Sequence, residues 1–208
     1  MPDPATSARC LALALAVAAA VAYLAGSINF SIILSRLLGR GDPRAAGSGN
    51  AGATNLARTL GRGPALLVLA LDLGRAFAVL LGGRLLGLGE LSAALALPLL
   101  LGNLFPLFHS FRGGKGVATA TGAMLAIDPA AMLCGGGVFL VFAALTRRSS
   151  AGSLCMAVSF GPWLWLFDRS ATEIAVGVTI GLIIPLTHRA NIRRLLDGSE
   201  PRLGEIAK

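Results

Sequence analysis

The sequence predicts an all-α polytopic membrane protein, a bundle of seven transmembrane helices, and three observations lead there. The 208-residue chain is 55% hydrophobic and only 13% charged, with a mean hydropathy of +0.75, which leaves too little polar surface to clothe a soluble particle. Its apolar residues fall in runs of about membrane length, separated by short polar stretches. Its basic residues are one-sided. Fourteen of the eighteen Lys and Arg lie in four clusters, Arg36 to Arg62, Arg112 to Lys115, Arg147 with Arg148, and Arg189 to Lys208, each at the same end of the neighbouring runs. Basic residues flanking spans stay on the cytoplasmic side, so these clusters mark the cytosolic face.

The first run, residues 11–38, starts near the N-terminus and is rich in Ala, as a secretory signal would be. Its leading segment has one basic residue and the run continues well past signal length, so a retained first span is expected. The second run, 64–82, holds Asp72 and Arg75 one helical turn apart in apolar surroundings. Charges at that depth are costly, and a structural ion pair between the two is expected. Runs 91–108, 117–127, 130–145, 151–167 and 172–187 supply the remaining spans. The fourth is short for a bilayer that asks for about 20 helical residues, so it is expected to be sunk or to begin inside the protein.

Seven crossings put the N-terminus outside and the C-terminus inside, with turns at 82–90, 128–129 and 168–171 on the outer face. Backbone groups must be satisfied within helices, and the many Gly and Ala allow close helix contacts. One domain over residues 1–208 is expected, with no internal repeat and no soluble module beyond a basic tail.

The net charge of +8 does not indicate nucleic acid, because the basic residues are separated by apolar runs and few aromatics lie near them. Anionic lipids and phosphorylated substrates are the better partners. Cys10, Cys134 and Cys155 show no metal spacing, and the carboxylates Asp72, Asp128 and Asp168 are too dispersed for a ligand set, so neither metal nor cofactor is expected.

Three polar motifs occupy the cytosolic clusters. The first reads Gly47-Ser48-Gly49-Asn50-Ala51-Gly52-Ala53-Thr54-Asn55-Leu56-Ala57-Arg58. Its small residues let backbone approach a ligand, while two amides, two hydroxyls and a guanidinium exceed what a linker needs. The second, Phe111-Arg112-Gly113-Gly114-Lys115-Gly116-Val117-Ala118-Thr119, precedes an apolar helix. Glycines there would expose backbone N–H groups at a helix start, where the dipole favours an anion and Lys115 adds a full charge. It is no Walker A loop, since Phe108 and His109 stand where the leading glycine would be. The third runs from Thr187 to Glu200, with His188 and Asn191 spaced to share a helix face. In the same stretch Arg189, Arg193 and Arg194 read equally well as contacts to lipid headgroups, and replacing Arg194 or Arg202 by Ala is expected to be mild.

In order and spacing, these motifs resemble those of the bacterial acyl-phosphate-dependent glycerol-3-phosphate acyltransferases, membrane-integral enzymes that make lysophosphatidic acid. The likeness covers nearly the whole chain. It rests on Ser48-Gly49-Asn50-x-Gly52-x-Thr54-Asn55 with Arg58, on Gly113 to Thr119, and on His188-Arg189-x-Asn191-Ile192. The resemblance implies seven membrane helices and a monomeric enzyme of the cell inner membrane with its active site toward the cytosol. It implies catalytic roles for Ser48, Arg58, Lys115, His188 and Asn191. Substrate phosphates would be held by Asn50, Thr54, Asn55, Gly113, Gly114, Gly116 and Thr119. The general base stays open between His188 and the donor's own phosphate, and the substrate-assisted version is favoured. The chain departs from the family pattern at Asn29, Asn103, Arg75 and Ala190, where Pro, His, Lys and Glu are usual. A transporter or binding protein for a phosphorylated solute or lipid, or a divergent member with altered activity, is the alternative.

Overall fold

The computed structural model describes residues 3–203, and among them it has helices and loops but no strand. Gly204 to Lys208, the end of the last basic cluster, lie outside the described residues.

The first apolar run is two helices rather than one. α1 covers Pro4–Ser27 and α2 covers Phe30–Leu37. The break is chemical. Ile28 is extended, and the Asn29 side chain accepts from the Ile32 N–H at 3.0 Å, capping α2. A short α3, Ala53–Thr59, follows the first loop and leads into α4, Arg62–Gly83.

The expected outer turn at 82–90 is wound rather than open. Residues Arg84–Leu88 form a π-turn and Gly89–Leu95 a 3-10 helix, with Gly87 and Gly89 at positive φ. Regular α-helix resumes only at α5, Ala96–Leu104, so the third run crosses as a patchwork. α6, Val117–Ile127, has 11 residues and reaches only about 16 Å, half of the hydrocarbon thickness. It begins inside the protein at Gly116. α7 (Pro129–Thr146), α8 (Ser149–Leu166) and α9 (Ala171–Thr187) are longer and antiparallel in sequence, and α10 (Arg189–Leu196) bends off α9 by 64°.

Among the described residues, three stretches are long and apolar enough to cross a membrane unaided: Ala5–Leu37, Arg62–His109 and Pro129–Thr146. α9 with α10 makes a fourth if the bent pair counts as one. The other apolar segments, α6 among them, are shorter or less apolar than an unaided crossing asks. The outward faces of the helices are apolar: Leu133, Leu140 and Leu186 are 66–74% exposed, which suits lipid and not water.

Small residues set the packing. A β-carbon at Gly26 would strike the Leu99 carbonyl, and one at Gly102 would strike that of Tyr23, so α1 and α5 touch backbone to backbone. Gly161 and Gly177 bring α8 and α9 close as well, since added β-carbons there would meet the Val178 and Leu164 side chains at 2.6 Å. Between these contacts Leu99, Leu100, Met124, Phe160, Ile180 and Ile184 fill the core.

The two ends of the bundle differ in chemistry. At one end Asp128 caps α7 through the Ala131 N–H and pairs with Arg169, while Glu173 closes a capping box with Ser170 and lies 3.9 Å from Arg84. At the other end all three motifs gather.

Candidate active site

The first motif is a loop folded around one amide. Asn55 Oδ1 accepts from the Ser48 N–H at 2.7 Å and from the Ser48 hydroxyl at 3.1 Å, and its Nδ2 donates to the carbonyls of Pro43 (2.8 Å) and Ala46 (3.1 Å). That engages both donors and both acceptor positions of a buried side chain. In this conformation Asn55 builds the loop and has nothing left for a ligand. Ser48, Thr54 and the half-buried Asn50 lie at the loop surface, and Arg58 stands on the last turn of α3.

Arg44 joins this loop to the next. It clasps Asp42 with Nε (2.9 Å) and Nη2 (2.6 Å), while Nη1 donates to the carbonyls of His109 (3.0 Å) and Arg112 (2.6 Å). The Arg44 hydrogen bond holds the Asp42 carboxyl down at about 2.

The second motif departs from the expected cradle. The Gly113 N–H donates to the Leu104 carbonyl and the Gly114 N–H to the Asn103 carbonyl, both at 3.1 Å, so these two donors finish α5 instead of facing an anion. The glycines are needed for space. A β-carbon at Gly113 would sit 2.7 Å from Pro106 Cδ, and one at Gly114 would sit 3.0 Å from the Ala51 carbonyl in the first motif. Gly116, at φ +83°, is the N-cap of α6 and has no capping side chain. The open donors are thus the first-turn N–H groups of α6, beside Lys115. Thr119, one turn in, is buried and its hydroxyl accepts from Arg75 at 3.1 Å.

The third motif closes over Lys115. The Lys115 ammonium donates to Asn191 Oδ1, and the Thr187 hydroxyl lies 3.1 Å from the Lys115 carbonyl. His188 is 3% exposed, and its Nδ1 lies 2.9 Å from the Ile184 carbonyl, which fixes the proton there and leaves Nε2 as an acceptor. Burial, reinforced by the Lys115 charge, pushes His188 down to about 4, so the ring is neutral near pH 7. Burial also lowers Lys115 to about 8, with Glu200 opposing and Arg194 and Arg58 adding to the fall. That cation is poorly solvated and short of counter-charge, as an anion site should be.

Glu200 was not singled out by sequence reasoning. It is 5% exposed, accepts from Asn191 Nδ2 at 2.6 Å and from Arg194 Nε at 2.7 Å, and lies on a segment tied down by Arg148 to the Gly198 and Glu200 carbonyls. Burial would raise its carboxyl, but the hydrogen bonds from Asn191 and Arg194 prevail and lower it. The available signal was weak, since Glu200 is one of three acids, with Asp197 and Glu205, among the five basic residues of the tail. Arg194 is consequently no bland surface charge. Asn29, one of the departures noted above, is also structural here: its Nδ2 donates to the Ala51 carbonyl at 3.3 Å. Asn103 is buried, but it is its backbone carbonyl that receives Gly114, a bond independent of the side chain.

The structure therefore brings Lys115, His188, Asn191 and the α6 N-terminus together, with Arg58 close enough to act on the Lys115 charge. Among the described residues no three His, Cys, Asp or Glu side chains converge as metal ligands. The site offers positive charge, hydrogen-bond donors and one neutral imidazole, an arrangement suited to holding phosphorylated molecules side by side.

Comparison with known proteins gives a consistent result. Residues 16–198 match the family model described as glycerol-3-phosphate acyltransferase. Relatives bearing that name include one from Thioalkalivibrio sulfidiphilus, 44% identical over 90% of this chain and 93% of its own length, and one from Pseudomonas aeruginosa, 42% identical over 88% and 96%. The chain also resembles crystal structures of PlsY (YgiH), an integral membrane glycerol 3-phosphate acyltransferase. Its glycerol 3-phosphate form gives a TM-score of 0.86 at 36% identity, covering 91% of this chain and 96% of that one. Its lysophosphatidic acid form gives 0.83 at 35%, covering 93% and 97%.

Proposed function

The chain belongs to the glycerol-3-phosphate acyltransferase family, and from that premise we infer that it transfers a fatty acyl group from acyl phosphate to the 1-hydroxyl of glycerol 3-phosphate. The products are lysophosphatidic acid and inorganic phosphate, as the first step of phospholipid assembly. The observation that carries the reading is the bond from Lys115 to Asn191, which unites the second and third motifs beside the open N-terminus of α6.

An acyl phosphate is a mixed anhydride that is already activated, so no protein nucleophile is required. The 1-hydroxyl oxygen bonds to the acyl carbon, the bond from that carbon to the phosphate oxygen breaks, and the hydroxyl proton leaves with the phosphate. His188 at about 4 is a weak base for a hydroxyl near pH 7, which favours proton acceptance by the donor's own phosphate. His188 Nε2 then orients the hydroxyl. Lys115 and Asn191 hold glycerol 3-phosphate with the α6 N-terminus, while Ser48 and Arg58 steady the donor phosphate. Asn50 and Thr54 line the donor side, and Asn55 acts by folding its loop. The chemistry needs neither metal nor cofactor.

The enzyme is a single-domain monomer of the cell inner membrane, N-terminus outside and site cytosolic. The one-sided basic residues support this orientation, and the separation of the polar motifs from the Asp128–Arg169 end agrees with it. The test is an assay of the purified protein in detergent with synthetic acyl phosphate and labelled glycerol 3-phosphate. Stoichiometric lysophosphatidic acid and phosphate are expected, with no turnover of acyl-CoA. Equal turnover of acyl-CoA free of acyl phosphate would overturn the donor assignment.

A further inference from the structure

Behind the wall of the site lies a buried ion pair that the mechanism does not use. Asp72 and Arg75, on successive turns of α4, approach to 3.0 Å with side chains 9% and 7% exposed. A bidentate, fully hydrogen-bonded Arg–carboxylate pair would be self-contained. This pair is not. Asp72 Oδ1 has no hydrogen-bonded partner although it lies 3.0 Å from Arg75 Nη2, Arg75 Nε has none either, and the two terminal nitrogens donate elsewhere. Nη1 donates to the Ile28 carbonyl at the break between α1 and α2, and Nη2 donates to the Thr119 hydroxyl in the first turns of α6. The guanidinium also lies over the Phe30 ring, 5.3 Å from its centre.

Those two contacts lead to both halves of the site. Ile28 precedes Asn29, whose Nδ2 donates to the Ala51 carbonyl of the first motif, and that carbonyl packs on Gly114 of the second. Thr119 belongs to the helix whose N-terminus, with Lys115, is the open anion site. One cation thus braces the loop on the donor side and the helix that receives glycerol 3-phosphate, with Asp72 as its counter-charge.

We propose that Arg75 is a positioning residue that holds the first-motif loop and the N-terminal turn of α6 in a common register, so that the two phosphorylated substrates meet at the right separation. The proposal rests on the two-substrate reading above. Its core, that Arg75 orders both segments, is also measurable without substrate.

The experiment uses the full chain in detergent and compares wild type with Arg75→Lys, Arg75→Gln and the Asp72→Asn/Arg75→Gln double variant. The double variant avoids an unpaired buried carboxylate, the usual reason such single variants fail to fold. Amide hydrogen exchange without substrate is the first readout. In the double variant, exchange should rise at least tenfold at residues 47–58 and at 117–121 and stay unchanged at the Asp128–Arg169 end. Unchanged exchange at either segment overturns the proposal, and this arm decides it even if the protein turns over some other substrate pair. Kinetics is the second readout. KM for glycerol 3-phosphate should rise at least tenfold in the double variant, and Arg75→Lys, which keeps a donor toward Thr119, should recover most of that loss. A KM within twofold of wild type in the double variant, or no recovery by Lys in a folded protein, overturns it.

Discussion

The Lys115 ammonium donates to Asn191 Oδ1 across 76 residues of sequence, and Asn191 in turn donates to Glu200. A membrane-edge lysine is thereby drawn into a poorly solvated position, and the amide that holds it is oriented by a buried carboxylate. The site's chemistry follows from this relay.

Lys115 should govern anion binding with a characteristic pH dependence. Lowered by burial to about 8, the ammonium is lost from the free enzyme as pH rises through that value, so kcat/KM for glycerol 3-phosphate should fall above about pH 8. Between 8 and the ordinary 10.5 the unfolded chain binds the proton and the folded one does not, so this group adds stability as pH rises while binding weakens. Lys115→Ala should insert normally and lose about a hundredfold or more in turnover. PH profiles of kcat/KM and of thermal unfolding check both trends.

His188 should stay neutral throughout the working range. The chain has two histidines, so nitrogen NMR of a His109→Asn variant reports His188 alone. No titration should appear between pH 5 and 8, because burial holds the ring near 4. An imidazolium signal with a midpoint near 6.5 would contradict the substrate-assisted proton transfer.

Glu200 should matter more than its place in the tail suggests. Glu200→Ala leaves Asn191 Nδ2 and Arg194 without their acceptor, at a cost of about 1.5–3 kcal/mol for a hydrogen bond to a charged group. Its carboxyl lies below the ordinary 4.5, so its stabilisation is complete above that pH and lost as pH falls through the lower folded value. Melting of wild type and variant should therefore converge under acid.

The arginines should separate by contact and not by count. Arg193→Ala and Arg189→Ala, on exposed positions, should change stability by less than about 0.5 kcal/mol. Arg194→Ala, which strips a donor from buried Glu200, should cost about 1–3 kcal/mol. Arg58→Lys should lose activity, because a point charge does not reproduce a guanidinium fork. Melting temperatures and steady-state kinetics on the same four proteins decide the ranking.

Much of the site was legible in the sequence because its residues carry local signatures. A Gly-Gly-Lys-Gly run ahead of an apolar helix, or a polar cluster at a basic boundary, can be read without coordinates. The same motifs misled where a donor is spent on a distant partner. Gly113 and Gly114 looked like an open cradle, yet their N–H groups close the end of α5. Asn55 looked like a ligand contact, yet four hydrogen bonds commit it to the loop. Arg194 looked like a lipid contact, and Glu200 like nothing at all.

The sequence by itself determined the solvent and the chemical inventory: hydropathy over 208 residues calls for a membrane, and the polar motifs gather in the basic clusters between apolar runs. Tertiary structure alone decided which polar atoms are free. Most buried donors find an acceptor, and several of those acceptors lie on other segments brought into reach by packing such as that of Gly26 on Gly102. Arg75 is the clearest case, since its neighbours in sequence announce an ion pair with Asp72 while its hydrogen bonds run to Ile28 and Thr119.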